Sequence, residues 1–337
     1  MTPHRGALAV AVSGGGDSLA LMHLLADWAK AHRRKAPIVL TVDHGLRKDA
    51  SQQARQVAIW AKAAGLQAHL LRWRGEKPAT GIEAAAREAR YRLMGDWLRK
   101  HGVSTLCVGH TLDDQAETFL LRLARGSGLD GLSAMRAKAS WPVAGFVGLS
   151  VVRPLLGVGR KELRLYLEER GQSWLDDPMN EDAAFDRVRI RQAQSALAAL
   201  GLTPPRIAAA AAHLSRARLA LDDMTQTLLS RAVQKDGDGG LLVDPGALAD
   251  APSELGLRAL AAMLMEVSGQ GYRPRFDALE RLYQRIVSGN LGGGCTLHGC
   301  HIGPARRGNM KFVVLVKPES PRKTGGSAKR PKPASPA

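Results

Sequence analysis

AVSGGGDSLALMHLL, residues 11–25, decides how the rest of the chain is read. Six apolar residues, 7–12, run straight into three glycines, then Asp17 and Ser18, and a helical pattern begins. A short apolar run of this kind reads as a buried strand, and the period after it reads as a helix. A glycine-rich loop between the two lets backbone N–H groups approach an anion, and the helix start favours negative charge there. Ser13, Gly14, Gly15, Gly16, Asp17 and Ser18 are therefore the candidate phosphate cradle. The lysine of a Walker A loop is missing, with Asp17 and Ser18 in its place, which sets this loop apart from the common kinase and ATPase type.

Outward from the loop the alternation continues. Apolar runs at 38–42, 68–73, 105–108 and 149–152 alternate with helical periods near 18–31, 51–64, 82–100 and 113–124. This spacing predicts an α/β fold, a doubly wound parallel sheet covered on both faces, with ligands beyond the carboxyl ends of the strands. From about residue 203 the pattern turns helical: Pro204 and Pro205 precede an alanine-rich run, which suits a helix start. Further helices are predicted around 252–267 and 275–286, and a strand at 311–316. The expected organisation is a catalytic ATP-binding domain over 1–200 and a smaller, mainly helical C-terminal domain over 201–318. A disordered basic tail over 319–337 follows, its Pro, Lys, Ser and Gly leaving little to bury.

The net charge is +17, of which Arg322, Lys323, Lys329, Arg330 and Lys332 supply five, leaving about +12 on the body. Such an excess suits a polyanionic partner, because neutralising phosphates releases counterions. Only 4% of residues are aromatic, which argues against a stacking platform for single strands. No apolar run approaches the length of a membrane helix, and 7–12 is too short for a signal-peptide core. The three cysteines, Cys107, Cys295 and Cys300, form no CxxC pair. A cytoplasmic enzyme in a reducing compartment is the expectation.

Three further stretches carry chemistry. In TVDHGLR, residues 41–47, Asp43 and His44 fall at the end of the second strand, where the Asp43 carboxylate would hold Mg²⁺ or a nucleotide hydroxyl, or else cap a turn. In GHTLDDQAETFLLRLARGSGLDGL, residues 109–132, a helix starting near Thr111 puts His110, Asp113, Asp114 and Glu117 at offsets 0, 3, 4 and 7, on one face. Acids in a first turn also complement the helix dipole, but these follow the fourth strand and so face the same crevice as the loop. In CTLHGCH, residues 295–301, Cys295, His298, Cys300 and His301 lack zinc spacing, and a turn with a short strand is the preferred reading.

Taken together, the loop, VDHGLR, GIEAAAREARYRLM (81–94), DDQAETFLLRLARGSGLDGL, RPLL (153–156) and DDPMN (176–180) resemble the tRNA(Ile)-lysidine synthetase family, in its order. That family belongs to the PP-loop ATP pyrophosphatases, with an adenine-nucleotide α-hydrolase-like sheet. The resemblance covers roughly the first 190 residues. It implies ATP as co-substrate with Mg, L-lysine, and a tRNA(Ile) with a CAU anticodon as partner. No obligate protein partner is evident. It also implies an adenylated wobble cytidine that the lysine ε-amine attacks, changing decoding from AUG to AUA.

Carried over by residue, Ser13 to Ser18 and Asp43 would bind ATP, and Asp114, Glu117 and His110 would be catalytic, engaging the lysine amine. Arg87, Arg90, Arg187, Arg189 and Arg191 are candidate tRNA or phosphate contacts. Two departures stand out: Thr111 sits where family members often carry a second histidine, and RVRIR, 187–191, has Val188 in place of asparagine. A sulfur-transfer enzyme would need reactive cysteines, an amidotransferase a glutaminase partner, and a plain nucleic-acid-binding protein would leave the acidic face unexplained.

Overall fold

Runs rich in valine, isoleucine and leucine at 8–12, 38–42, 105–108 and 150–152 form the central strands of the first unit. The computed structural model describes residues 6–46, 49–78, 80–176, 186–236, 239–307 and 310–319. Arg47, residues 177–180 of DDPMN and the tail from 320 lie outside them. The chain divides into two compact units, 1–218 and 219–337.

The first unit runs β1 (Leu8–Ala11), α1 (Gly16–Ala31), β2 (Ile38–Asp43), α2 (Ala50–Ala63), β3 (Ala68–Arg72), α3 (Ile82–Lys100), β4 (Thr105–Val108) and α4 (Leu112–Ala124). It continues through α5 (Leu129–Leu132), β5 (Lys138–Ser140), β6 (Ser150–Val152), α6 (Arg160–Glu169), α7 (Asp186–Gln192), α8 (Gln194–Ala199) and the start of α9 (Pro204–Ala232). The strand order is β3-β2-β1-β4-β6-β5. All neighbours are parallel except β5, which pairs antiparallel with β6 at the edge. Neighbouring residues in the central strands serve opposite faces. Val10, Cys107 and Val152 pack with Leu19, Met22, Val57 and Leu167, whereas Ala9, Leu106 and Val151 pack with Tyr91, Met94, Leu98 and Trp141. This period of two lets one parallel sheet carry helices on both sides.

The expected helices and strands of this half are present. β5 and α5 to α8 were not read from the sequence: β5 has only three residues, α5 only four, and α6 is mostly charged, burying just Leu163 and Leu167. The order of strands matters most for function. The chain leaves β1 toward β2 and β3 and returns on the other side as β4, so β1 and β4 flank a topological switch point, where such sheets bind ligands.

The second unit carries the end of α9, then β7 (Val233–Lys235), β8 (Leu241–Val243), α10 (Pro245–Ala249), α11 (Ser253–Ser268), α12 (Phe276–Val287), β9 (Cys295–Leu297), β10 (Cys300–Arg307) and β11 (Met310–Pro318). The division between units falls inside α9. Ile207 and Ala211 are buried early in the helix, while Leu228 and Ala232 belong to the second unit's core. Alongside the expected helices stands a five-stranded antiparallel sheet, β7-β8-β11-β10-β9, of which the sequence had shown only β11 and a short strand at 295–301. CTLHGCH is the β9–β10 hairpin, turning at His298 and Gly299, both at positive φ. Cys300 is fully buried, with its Sγ donating to the Leu264 carbonyl. Among the described residues no group of three His, Cys, Asp or Glu is placed to hold a metal ion. None of the described helices is long and apolar enough to cross a membrane.

Gly256 in α11 tests this core. A Cβ there would lie 2.3 Å from Tyr283 Cε2, and the ring is buried and anchored by its hydroxyl, which donates to the Leu248 carbonyl at 3.1 Å. Gly256→Ala should therefore destabilise the protein by about 1–2 kcal/mol, overpacking outweighing the helix-propensity gain of about 1 kcal/mol. Denaturant unfolding measures it; a stabilised variant would contradict this packing.

Candidate active site

The loop after β1 is built to leave backbone donors at a helix start. The N-cap of α1 is Gly15, with extended backbone and no side-chain cap; the Ser18 N–H turns back to the Gly15 carbonyl at 3.1 Å, and no side chain caps the first-turn N–H groups ahead of it. Ser18 closes the loop on itself: its hydroxyl donates to the Gly15 carbonyl at 2.9 Å and accepts from the Ser13 N–H at 3.2 Å. Ser13 Oγ lies 3.3 Å from Ser18 Oγ. Gly14 has φ +99°, and a Cβ on it would sit 2.6 Å from Leu175 Cδ1. Leu175 also donates its N–H to the Gly14 carbonyl at 2.9 Å, so the segment ahead of DDPMN braces the loop, a role the sequence did not show.

The end of β4 passes against the start of α1. A Cβ on Gly109 would meet the Asp17 carbonyl oxygen at 2.9 Å, a contact only glycine permits. Beyond it His110 lies in the strand-to-helix link and Thr111 is the N-cap of α4. Thr111 is fully buried and forms a reciprocal cap with Asp114: Asp114 Oδ2 accepts from the Thr111 N–H at 2.8 Å, and Thr111 Oγ1 accepts from the Asp114 N–H at 3.3 Å. The threonine at the family's histidine position thus orients one of the acids.

Asp114 and Glu117, one turn apart and both buried, face a side chain that the sequence reading missed, Arg160 at the start of α6. Its three guanidinium nitrogens take three different carboxylates: Nε to Asp17 at 3.0 Å, Nη2 to Asp114 at 3.2 Å and Nη1 to Glu117 at 3.5 Å. Its backbone N–H donates to Asp113 Oδ2 at 2.7 Å, so Asp113 serves this neighbour from the side. Burial works to lower the Arg160 pKa, but the carboxylates of Asp17, Asp114 and Glu117 prevail and hold it above the usual arginine range. Burial raises Asp17 above the usual carboxylate range, with Arg160 opposing and the Asp114 and Asp113 charges adding. The one sequence sign of Arg160 was its place after Gly159 with Glu162 three residues on, a helix start in which the Gly159 N–H donates to Glu162 at 3.1 Å.

The candidate arginines separate. Arg191 grips Glu117 in a fork, Nε to Oε1 at 2.6 Å and Nη2 to Oε2 at 3.2 Å. Arg189 is exposed and pairs with Asp186, which Arg125 also reaches at 2.8 Å. Val188 between them is buried, which gives the asparagine replacement a packing role. The charges of Arg87, Arg153 and Arg187 all act on His110. Burial depresses the imidazole pKa to about 4, those three charges push the same way, and Asp114 opposes. His110 is therefore neutral at neutral pH, and its Nδ1 is buried without a hydrogen-bond partner.

At the end of β2, Asp43 is buried, and its Oδ1 accepts from the Gly45 N–H at 2.9 Å, the turn-capping role. Among the described residues its Oδ2 faces the distant Arg72 guanidinium, 3.7 Å away, a geometry that suits a cation at that oxygen. His44 beside it is depressed to about 4 by burial and by the Arg90 and Lys77 charges, with Asp43 opposing, so Arg90 reaches this edge too.

A cavity of about 720 Å³ opens near Ser104, Lys138, Trp141 and Ser150, at the amino ends of β4 and β6. It lies at the opposite edge of the sheet from the loop and the acids. Behind Asp113, Glu117 and Arg191 is a void of only about 20 Å³, room for no more than a water.

Residues 2–196 match the PP-loop domain family. The protein named tRNA(Ile)-lysidine synthase from Ruegeria pomeroyi is 40% identical over 295 residues, 87% of this chain and 68% of its own length. Its counterpart from Bradyrhizobium sp. strain BTAi1 is 39% identical over 336 residues, 95% of this chain and 92% of its own. Among solved structures, the U34-tRNA thiolase NcsA from Methanococcus maripaludis aligns with a TM-score of 0.53 at 15% identity, covering 65% of this chain and 74% of its own, a likeness of fold alone. With the PP-loop at the switch point, and with identity at this level across nearly the whole chain, the protein belongs to the tRNA(Ile)-lysidine synthase family.

Proposed function

We propose that this protein ligates L-lysine to the wobble cytidine of a tRNA(Ile) with a CAU anticodon, at the expense of ATP, and so changes decoding from AUG to AUA. The observation that carries the reading is the three-way contact of Arg160, which joins the loop aspartate Asp17 to Asp114 and Glu117 in one crevice. A nucleotide loop and a buried acidic pair in direct electrostatic contact suit a reaction that activates one substrate and brings an amine to it.

The 2-carbonyl oxygen of the cytidine attacks the α-phosphorus of ATP, and pyrophosphate leaves. The lysine ε-amine then attacks C2, a C–N bond forms, and AMP departs with the oxygen. Residues 13–18 hold the phosphates through backbone N–H groups, with Ser13 and Ser18 shaping the loop. Asp114 and Glu117 receive the lysine ammonium, and a carboxylate there takes the proton that the amine must lose to become a nucleophile. Neutral His110 stands beside them at the RNA side of the crevice. Asp43 is a fitting holder for Mg²⁺, which binds chiefly through substrate phosphates with one or two carboxylates and would neutralise their charge. Arg87, Arg90 and Arg187 contact tRNA phosphates at the rim, residues 1–200 form the catalytic domain, and 201–318 add tRNA contacts.

Sulfur transfer is disfavoured by Cys107, which burial pushes up to about 12, far from a reactive thiolate. The test is direct: the protein with ATP, Mg²⁺, labelled lysine and unmodified tRNA(Ile) should transfer label to the tRNA and release AMP and pyrophosphate in equal amounts. Folded protein that transfers no label would refute the proposal.

A further inference from the structure

We propose that Arg160 couples the ATP and lysine subsites, so that lysine bound at Asp114 and Glu117 tightens ATP binding at the loop. The inference rests on the assignment of those two subsites made above. Arg160 divides a single positive charge among carboxylates on two elements, Asp17 on α1 and Asp114 and Glu117 on α4. Counting Asp113 and Arg191, four carboxylates meet two guanidinium groups in direct contact among the described residues, so Asp114 and Glu117 keep acceptor oxygens for a further cation even though the charges of Arg87, Arg153 and Arg187 also act beside them at His110.

A lysine ammonium entering at Asp114 and Glu117 competes with Arg160 for their oxygens. The Asp17 contact, 3.0 Å, is the shortest of the three guanidinium contacts and is the one left intact. Arg160 is then shared among fewer acids and neutralises Asp17 more completely. Since Asp17 is half-buried in the first turn after the glycines, its negative charge opposes incoming polyphosphate, and relieving it favours ATP. By linkage ATP must tighten lysine by the same factor. Arg160 touches neither substrate in this scheme; it is a positioning residue that acts through Asp17. A planar fork with three nitrogens can serve three carboxylates at once, which one lysine ammonium in its place does less well.

Calorimetric titration of the full chain with α,β-methylene-ATP and Mg²⁺, with and without saturating L-lysine, tests the proposal. Wild-type protein should bind the nucleotide at least about fivefold more tightly with lysine present, the lower end of common coupling. In Arg160→Gln that ratio should fall to one, and in Arg160→Lys it should lie between. Asp17→Asn cuts the same link from the loop side and should also give a ratio of one, which keeps the test decisive if Arg160→Gln does not fold. A merely structural arginine would change the affinities but leave the ratio. A wild type that binds both ligands without coupling, or an Arg160→Gln protein that keeps the wild-type ratio, overturns the proposal alone. A wild type that binds neither ligand overturns the proposal together with the functional reading beneath it.

Discussion

Replacing Asp114 by asparagine is expected to lower lysine transfer by about a hundredfold to ten-thousandfold, the range for losing a positioned acid or base. Asparagine keeps the volume and can still accept from the Thr111 N–H, so the cap of α4 survives and thermal unfolding should shift little. What it removes is the charge that faces Arg160 at 3.2 Å and that, in the proposed reaction, would receive the lysine ammonium. Because the side chain lies in the crevice and not on the basic rim, tRNA affinity should stay within about threefold of wild type. Rate measured with labelled lysine, beside filter binding of tRNA, separates the two effects. Full activity in Asp114→Asn would remove the acidic pair from the mechanism, and an equal loss in both measurements would assign it to RNA binding.

Binding of tRNA should collapse with salt. If the body charge of about +12 and the rim arginines neutralise about six phosphates, affinity falls about a thousandfold between about 50 and 200 mM monovalent salt. The sign follows from counterion release, since added salt reduces the entropy gained when cations leave the RNA. Screening has far less effect on contacts at buried acids such as Glu117, so lysine affinity should change only slightly over the same range. A flat response of tRNA binding would mean that the positive charge is incidental to the RNA grip.

The loop, the alternating strands and the acidic stretch were legible because each is local: a hydrophobic period, a glycine run, acids at helical spacing. His110 and Thr111 show the limit of that legibility. Their neighbours in sequence placed them near a helix start, but that one is a neutral, half-buried imidazole and the other a cap for Asp114 depended on burial and on the neighbouring elements. The arginines of RVRIR looked equivalent along the chain and proved different in space, because a helical turn sends Arg191 inward to Glu117 and Arg189 outward to Asp186. The C-terminal sheet escaped notice for a related reason: three of its strands have only three residues, too few for an alternation to register.

From its residues alone this chain declared an α/β sheet, a phosphate loop without the Walker lysine, an acidic helix start and a strongly basic surface, since all four are patterns over short distances. Tertiary structure alone decided that Arg160, 143 residues from Asp17, holds that loop and the two acids together. No periodicity encodes such a contact. It arises because β1 and β4 are neighbours at the point where the sheet changes direction, and α6 packs beside α1 to bring its first residue over their ends.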